Sequence, residues 1–487
     1  MMTKKLVYAS LICSLLVPLL APFSAAHGGA KFYEQAVQPE PPMLQDAAGV
    51  LASAGDLDPT FGPNANGRVT TGFFDADDQA NAVALQPNGR IVAAGSSGSG
   101  GNADIALVRY TPKGSLDPTF GGSGQLTLTL GGDQVATALA LTSDGKIVVA
   151  GYAKSSTESN YNFFVARFKG DGNLDGTFNF FGLAITDFGV GDDFARAVAI
   201  QPDGKIVSAG QAWNGREFDF ALARYNVNGT LDSSFGTGGK VNTSICSRCI
   251  GGSDDWAYAL ALQPNGKIVV AGSLVAGSAG ARNDFALVRY NANGTLDTSF
   301  GGGDGIVTTD FVSGGDHAAA LVIQPDGKLV VAGRSTSELE RIGPGNAPRP
   351  ELLFALARYN SDGTLDASFG RYIFSFPGNV GRVTTAIGKF ASALALALQA
   401  DGKILAAGYR FPFPSGYADF AVVRYNPDGT RDSIFGLGAG IVTTDFSARD
   451  DFAYAVAIGT DNKIVVAGSA FNGRNRDFAL ARYLGGV

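Results

Sequence analysis

The chain has 487 residues and a formal net charge of −7 at pH 7, with only 37 Lys and Arg. That balance excludes the basic footprint needed to grip nucleic acid or an anionic membrane. Its 44 acidic residues divide into 37 Asp and 7 Glu, beside 67 Gly; Asp and Gly favour turns where Glu favours helices, so a largely helical protein is excluded as well.

Residues 1–26 read as a secretory signal peptide. Lys4 and Lys5 give a positive start, the run from Leu6 to Phe23 is apolar, and Ser24-Ala25-Ala26 offers small residues for cleavage. Pro18 and Pro22 interrupt the run, which argues against a membrane anchor. Cys13 does not sit in a lipoprotein processing site. Residues 27–55 carry Pro, Gln, Ala and Gly without periodicity and read as a flexible leader. No other long apolar run follows. The expectation is a mature chain that does not insert in membranes and is secreted, at the cell surface or in the periplasm.

From residue 56 to 487 the chain repeats. The hexapeptide Leu57-Asp-Pro-Thr-Phe-Gly62 returns at 116–121, 174–179, 231–236, 296–301, 365–370 and 431–436, with Asn179 in place of the last Gly and Arg431 in place of the first Leu. Each unit holds four short apolar runs. In the third, strand A is Ala195–Gln201, strand B is Ile206–Gly210 after the turn Pro202-Asp-Gly-Lys205, and strand C is Asp219–Tyr225. A Pro-Asp-Gly turn between apolar runs is a tight hairpin signal, because Gly accepts the positive φ required. The outer strand D is the Val-Thr-Thr-Asp-Phe run at 307–311 and 442–446. Strands A begin near Asn81, Ala136, Ala195, Ala257, Ala318, Ser392 and Ala453. A sheet of four strands, apolar on both faces, cannot bury itself alone, and radial stacking solves this. The fold class expected is therefore all-β: a seven-bladed β-propeller of four-stranded antiparallel blades. A β-solenoid fits less well, since its coils are usually shorter. The last unit stops at Arg482-Tyr483 with no strand D, while 68–73 is a strand D without a unit, so the N-terminal strand is expected to close the ring.

The ordered string Leu-Asp-x-Ser-Phe-Gly, Val-Thr-Thr-Asp-Phe, Gln-Pro-Asp-Gly-Lys-Ile-Val-Val-Ala-Gly and Asp-Phe-Ala-Leu-Ala-Arg-Tyr-Asn resembles the delta-sixty repeat over residues 57–483. The resemblance implies an exported bacterial β-propeller and brings no catalytic residues with it.

Arg precedes the aromatic of every strand C, and in the first six units the hexapeptide Asp follows eight residues later. Arg109 with Asp117 and Arg224 with Asp232 exemplify the spacing, and ring closure would give Arg482 the partner Asp58. A fixed offset across a turn suggests structural Arg–carboxylate pairs. Acids also precede strand A, at Asp77-Asp78, Asp133, Asp192-Asp193, Asp254-Asp255, Asp316 and Asp450-Asp451. These read as turn caps. Without an Asp-x-Asp-x-Asp-Gly loop, calcium is the lesser reading, and no cofactor or metal site is assigned. Cys246 and Cys249 lack further zinc ligands and read as a local disulfide in an oxidising compartment. His317 is the one imidazole beyond the leader, so no catalytic group is assigned. Irregular loops on a rigid scaffold are where binding resides. The candidates are the B–C loops of the fifth and sixth units: Arg334, Glu338, Glu340, Arg341 and Arg349, then Tyr409, Arg410, Phe411, Phe413 and Tyr417. The expected function is recognition of a protein or glycan partner, or a surface-structural role. The alternative is a propeller hydrolase or lyase acting on polysaccharide.

Overall fold

The computed structural model describes residues 52–98, 102–157, 159–245, 253–276, 283–311, 315–336, 351–370, 380–412 and 416–486. Strand β1 is Arg68–Thr71. The first unit follows with β2 (Asp78–Leu85), β3 (Ile91–Ser97), β4 (Asp104–Tyr110) and β5 (Gln125–Leu128). The second has β6 (Gly132–Leu141), β7 (Ile147–Ser155), β8 (Asn162–Phe168) and β9 (Leu183–Thr186); the third β10 (Asp193–Ile200), β11 (Ile206–Trp213), β12 (Phe218–Tyr225) and β13 (Lys240–Thr243). The fourth has β14 (Ser253–Leu262), β15 (Ile268–Ala276), β16 (Asn283–Tyr290) and β17 (Ile306–Thr309); the fifth β18 (His317–Ile323), β19 (Leu329–Thr336), β20 (Leu352–Tyr359) and β21 (Arg382–Thr385). The sixth has β22 (Phe390–Leu398), β23 (Ile404–Phe411), β24 (Asp419–Tyr425) and β25 (Ile441–Thr444). The last has β26 (Phe452–Ile458), β27 (Ile464–Phe471) and β28 (Arg476–Tyr483).

The fold is all-β, and every unit is a four-stranded antiparallel sheet in the order A, B, C, D. The fifth and sixth touch through one parallel bridge, Leu352 to Phe390. In the last unit the outer position is taken by β1, with Arg68 opposite Ala481 and Thr71 opposite Phe478. Strands A lie against one another in order, β2 to β6 and onward to β26, and β26 lies against β2. The apolar clusters occupy the spaces between consecutive units. Phe73, Val69, Phe478 and Leu480 pack with Ala93, Val108 and Tyr110 of the first unit, as Phe120 and Leu107 pack with Val149 and Phe164 of the second.

Several elements are shorter or longer than the apolar runs suggest. Strand D ends at Thr309 and Thr444, because the next residues, Asp310-Phe311 and Asp445-Phe446, already turn toward the following unit. Strand A starts earlier than its Ala-rich run, and Asp78, Asp193 and Asp255 lie within it. The compact unit starts at Ala52, ahead of the expected boundary at 56, because Ala54 accepts from Gly436 N at 3.0 Å and Gly55 donates to Leu484 O at 2.7 Å. Strand A also carries a bulge in each unit; in β10 it falls between Ala195 and Ala197, opposite Gly210. A Cβ on Gly210 would come within 1.9 Å of Phe194 O, which explains the Ala-Gly pair that closes the apolar part of strand B. Asn179, where the hexapeptide otherwise ends in Gly, takes a left-handed φ of 42°, a conformation Asn tolerates better than most residues.

Candidate functional site

The antiparallel order places A–B hairpins and C–D turns at one end of the sheets, and B–C loops and D–A crossings at the other. The first end is a repeated ionic frame. Arg109 Nε donates to Asp117 Oδ2 at 2.8 Å, Arg224 to Asp232 at 2.8 Å, and Arg482 to Asp58 at 2.8 Å. Equivalent pairs join Arg167 to Asp175, Arg289 to Asp297, Arg358 to Asp366 and Arg424 to Asp432. Each Asp also faces a cation from the A–B hairpin, for example Lys205 Nζ at 2.9 Å from Asp232 and Lys463 Nζ at 2.9 Å from Asp58. Each guanidinium covers the hexapeptide Phe, as Arg482 covers Phe61 at 4.4 Å. It also donates to a backbone carbonyl of the next unit: Arg167 to Val227 O at 2.6 Å, and Arg482 to Pro112 O. Burial alone would raise Asp58; the donors Thr60, Lys463 and Arg482 instead bring it down to about 2. This end is saturated with intramolecular partners in every unit.

The other end begins from paired acids. The first of each pair accepts the amide leading into the preceding unit's strand C, as Asp192 accepts Tyr161 N at 2.9 Å and Asp450 accepts Ala418 N at 2.9 Å. The second is wholly buried and accepts an amide of the D–A crossing. Asp78 takes Phe73 N at 2.7 Å, Asp193 takes Phe188 N at 2.7 Å, and Asp451 takes Phe446 N at 2.7 Å. The second unit puts Gln134 there, which accepts Leu130 N at 3.1 Å.

On this scaffold the side chains stop repeating. The position before the strand A bulge is Gln79, Val135, Phe194, Trp256, His317, Ser392 and Phe452 in successive units. In the seventh unit Phe452 joins an aromatic cluster with the sixth. Tyr409, 3 % exposed, meets Phe452 edge-on at 5.0 Å and Phe411 at 6.0 Å, with Phe390 6.5 Å from Phe411 and the Arg476 guanidinium 4.8 Å from Phe452. Tyr417 is 46 % exposed, and Arg449 lies over its ring at 5.0 Å while donating to its hydroxyl at 2.7 Å. Arg410 is tied inward, donating to Ile387 O at 3.3 Å and Thr443 Oγ1 at 3.4 Å. A second cluster joins Tyr152, Tyr161, Phe194 and Phe218 between the second and third units.

Arg334 lies on β19 opposite His317. Burial and then Arg334 push His317 down to about 3, and Asn283 Nδ2 donates to its Nε2 at 2.7 Å. This imidazole is a neutral acceptor held in the wall. Of the loop residues singled out in sequence, the structure brings Tyr409 and Phe411 together and places Arg410 and Tyr417 nearby. Glu338, Glu340, Arg341, Arg349, Phe413, Cys246 and Cys249 lie outside the described residues. Phe390, Phe452, Arg449 and Arg476 were missed; the signal for Phe452 is its non-repeating position on a repeating strand.

A sequence profile described as a domain of unknown function (DUF5122) beta-propeller matches residues 86–120, 142–178, 201–235, 263–300, 324–348, 351–369, 399–435 and 459–485, more than half of the chain. The chain belongs to the DUF5122 β-propeller family. No curated protein matches the sequence. Among solved structures, the chain is similar to Sqt1 from Chaetomium thermophilum, at 14 % identity over 86 % of this chain and 98 % of that one, TM-score 0.45. It is also similar to the polysaccharide lyase Uly1, at 10 % identity over 83 % and 90 %, TM-score 0.46. The virginiamycin B lyase from Staphylococcus aureus is 12 % identical over 85 % and 97 %, TM-score 0.44. In this DUF5122 propeller, no helix among the described residues is long and apolar enough to cross a membrane.

Proposed function

We propose that the chain is an exported seven-bladed propeller, closed by its N-terminal strand, that serves as a binding or surface-structural module for a protein or glycan partner. Recognition would use the B–C and D–A end of the fifth and sixth blades. The observation that supports this is the contrast between the two ends: one is occupied by the same ionic frame in every unit. The other presents a solvent-facing Tyr417 under Arg449, beside the Tyr409, Phe411 and Phe452 cluster. A rigid aromatic with a cation across it gives large contact area at low conformational cost. The hydrolase or lyase alternative has a weak base in His317, which is neutral and already engaged.

The test is a glycan and protein-partner array probed with the mature chain, with the Tyr417→Ala/Arg449→Ala double variant, and with a variant shortened between Glu338 and Pro350. The expected result is loss of binding in at least one variant at unchanged melting temperature. Undiminished binding in both would move recognition elsewhere, first to the insertion at 371–382. In the exported protein Cys246 and Cys249 are expected to be oxidised; two freely alkylated thiols under non-reducing conditions would refute that.

A further inference from the structure

Apolar side chains that face water are concentrated on one stretch of the rim. Phe180 is 79 % exposed and Phe181 83 %, with Ile185 and Val190 exposed a few residues on. Four of the eleven exposed large hydrophobics among the described residues thus lie between positions 180 and 190. The stretch runs from the C–D turn of the second unit along β9 and into the crossing that follows. Val227 stands beside it, exposed on the C–D turn of the third unit, where Asn179 N donates to Asn228 O at 2.5 Å.

Comparison with the other units sets this stretch apart from ordinary surface. Every other outer strand carries Thr or Asn at its third position, where β9 carries Ile185. Polar residues blunt an open strand edge, and β9 is paired on one side only, by β8. In the third unit's turn Thr237 bridges Lys240 as Phe180 bridges Leu183, so Phe181 occupies the place of Gly238. Both are left-handed, at φ 58° and 62°. Glycine takes that conformation freely and phenylalanine does not. A bulky ring is therefore held on a strained backbone and left in water.

We propose that β9 is the interface between two copies of this chain, paired antiparallel about a twofold axis at Ile185. Phe180 and Val190 lie equally far along the chain on either side of Ile185, so this pairing sets each Phe180 against Val190 of the other copy. Asp187 is the one charged residue from 179 to 190 and falls opposite Leu183, so no like charges meet. That match of the stretch to its own reverse favours a second copy over an unrelated partner. An isologous contact of this kind closes on itself and uses up the edge. At about 150–250 Å² per ring, the two phenylalanines leave roughly 300 Å² exposed on each copy. With Ile185, Val190 and the paired strands, two copies approach the roughly 1,000 Å² at the low end of specific interfaces, so the dimer is weak and reversible. It is independent of the recognition site at Tyr417 and Arg449.

The experiment is sedimentation velocity of the mature chain across micromolar concentrations, with melting followed in parallel. A reversible monomer–dimer equilibrium is expected. Phe180→Ser and Ile185→Thr should each weaken dimerisation at least tenfold. Phe181→Gly should weaken it as much and yet melt no lower than the wild type, because glycine relieves the strain at φ 58°. Leu437 is also exposed and left-handed but belongs to the sixth unit, so Leu437→Ser should leave the equilibrium unchanged. A monomer at every concentration, or a dimer undiminished by Phe180→Ser and Phe181→Gly together, would overturn the proposal. An equal loss with Leu437→Ser would do the same. A dimer that survives Ile185→Thr unchanged would overturn the pairing about that residue.

Discussion

Arg482 Nε donates to Asp58 Oδ2 at 2.8 Å across 424 positions of the chain, with both residues buried. The contact matches the local Arg224–Asp232 pair, eight positions apart, in length and donor atom. Removing one member of a buried pair leaves the other uncompensated and costs about 3–5 kcal/mol. Asp58→Ala is therefore expected to destabilise the chain as much as Asp232→Ala does. Urea unfolding of the two variants checks this; a near-neutral Asp58→Ala would show that the long-range pair adds nothing to the folded state.

Two N-terminal deletions should differ sharply in their effect. Deleting through residue 75 removes β1 and leaves β28 as an open edge, a template for pairing with other chains. Aggregation by size-exclusion chromatography is the expected outcome. Deleting 27–50 should leave a monodisperse, normally melting protein. Monodisperse behaviour of the longer deletion would contradict the role given to β1.

A hydroxyl pair recurs between units, and its one exception makes a prediction. Tyr225 OH and Thr186 Oγ1 are 2.8 Å apart, Tyr110 donates to Thr71 at 2.9 Å, and Tyr425 to Thr385 at 2.8 Å. In the second unit the aromatic is Phe168, and the preceding outer strand carries Leu128 in place of Thr, in one apolar cluster. Losing one partner strands the other hydroxyl at a cost of about 1–3 kcal/mol, whereas replacing both is nearly neutral. Tyr225→Phe should destabilise, and adding Thr186→Leu should restore most of the loss in a double-mutant cycle. Simple additivity would count against the pairing.

Stability should fall as pH rises toward neutrality. Burial pushes Asp78 and Asp451 up to about 6, and Asp193 and Asp255 up to about 7. Nearby acids add to the rise, Asp187 and Asp192 at Asp193 and Asp219 at Asp255. Between about pH 4 and 7 the folded chain holds protons that the unfolded chain has released, so these groups favour the fold at the acid side of that window. Asp58, depressed to about 2, works in the opposite sense and loses its contribution as pH falls from about 4 toward 2. The melting temperature should therefore be higher at pH 4.5 than at 7.5, and Asp193→Asn should flatten the difference. A melting curve that rises steadily to neutral pH would refute this.

The repeat, its four strands and the Arg–Asp offset are legible in sequence because each is local: hairpin, strand and turn signals all fall within about ten residues. The pairing of β1 with β28 is legible by a different route, from the strand D lacking after Tyr483 and the surplus one at 68–73. Contacts between units are not. The Arg482 to Pro112 carbonyl bond joins successive units, and no hairpin, strand or turn signal marks its acceptor, so only the assembled fold reveals it. The same holds for Phe452 against Tyr409, which sit on successive units. Strand D was overestimated at 307–311 because Val-Thr-Thr-Asp-Phe recurs as one block in sequence, while in space the Phe311 amide already serves Asp316.

The register of β1 against β28 also has a consequence for biosynthesis. Thr71 leaves the ribosome first, and its partner Phe478 follows about 400 residues later. At about 5–20 residues per second, roughly 20–80 s separate the two. Throughout that interval Val69 and Phe73 lack the Phe478 and Leu480 side of their cluster, and strand β2 has no β26 to lie against. The nascent polypeptide must therefore carry an unfinished edge and a partly uncovered apolar wall until β28 emerges.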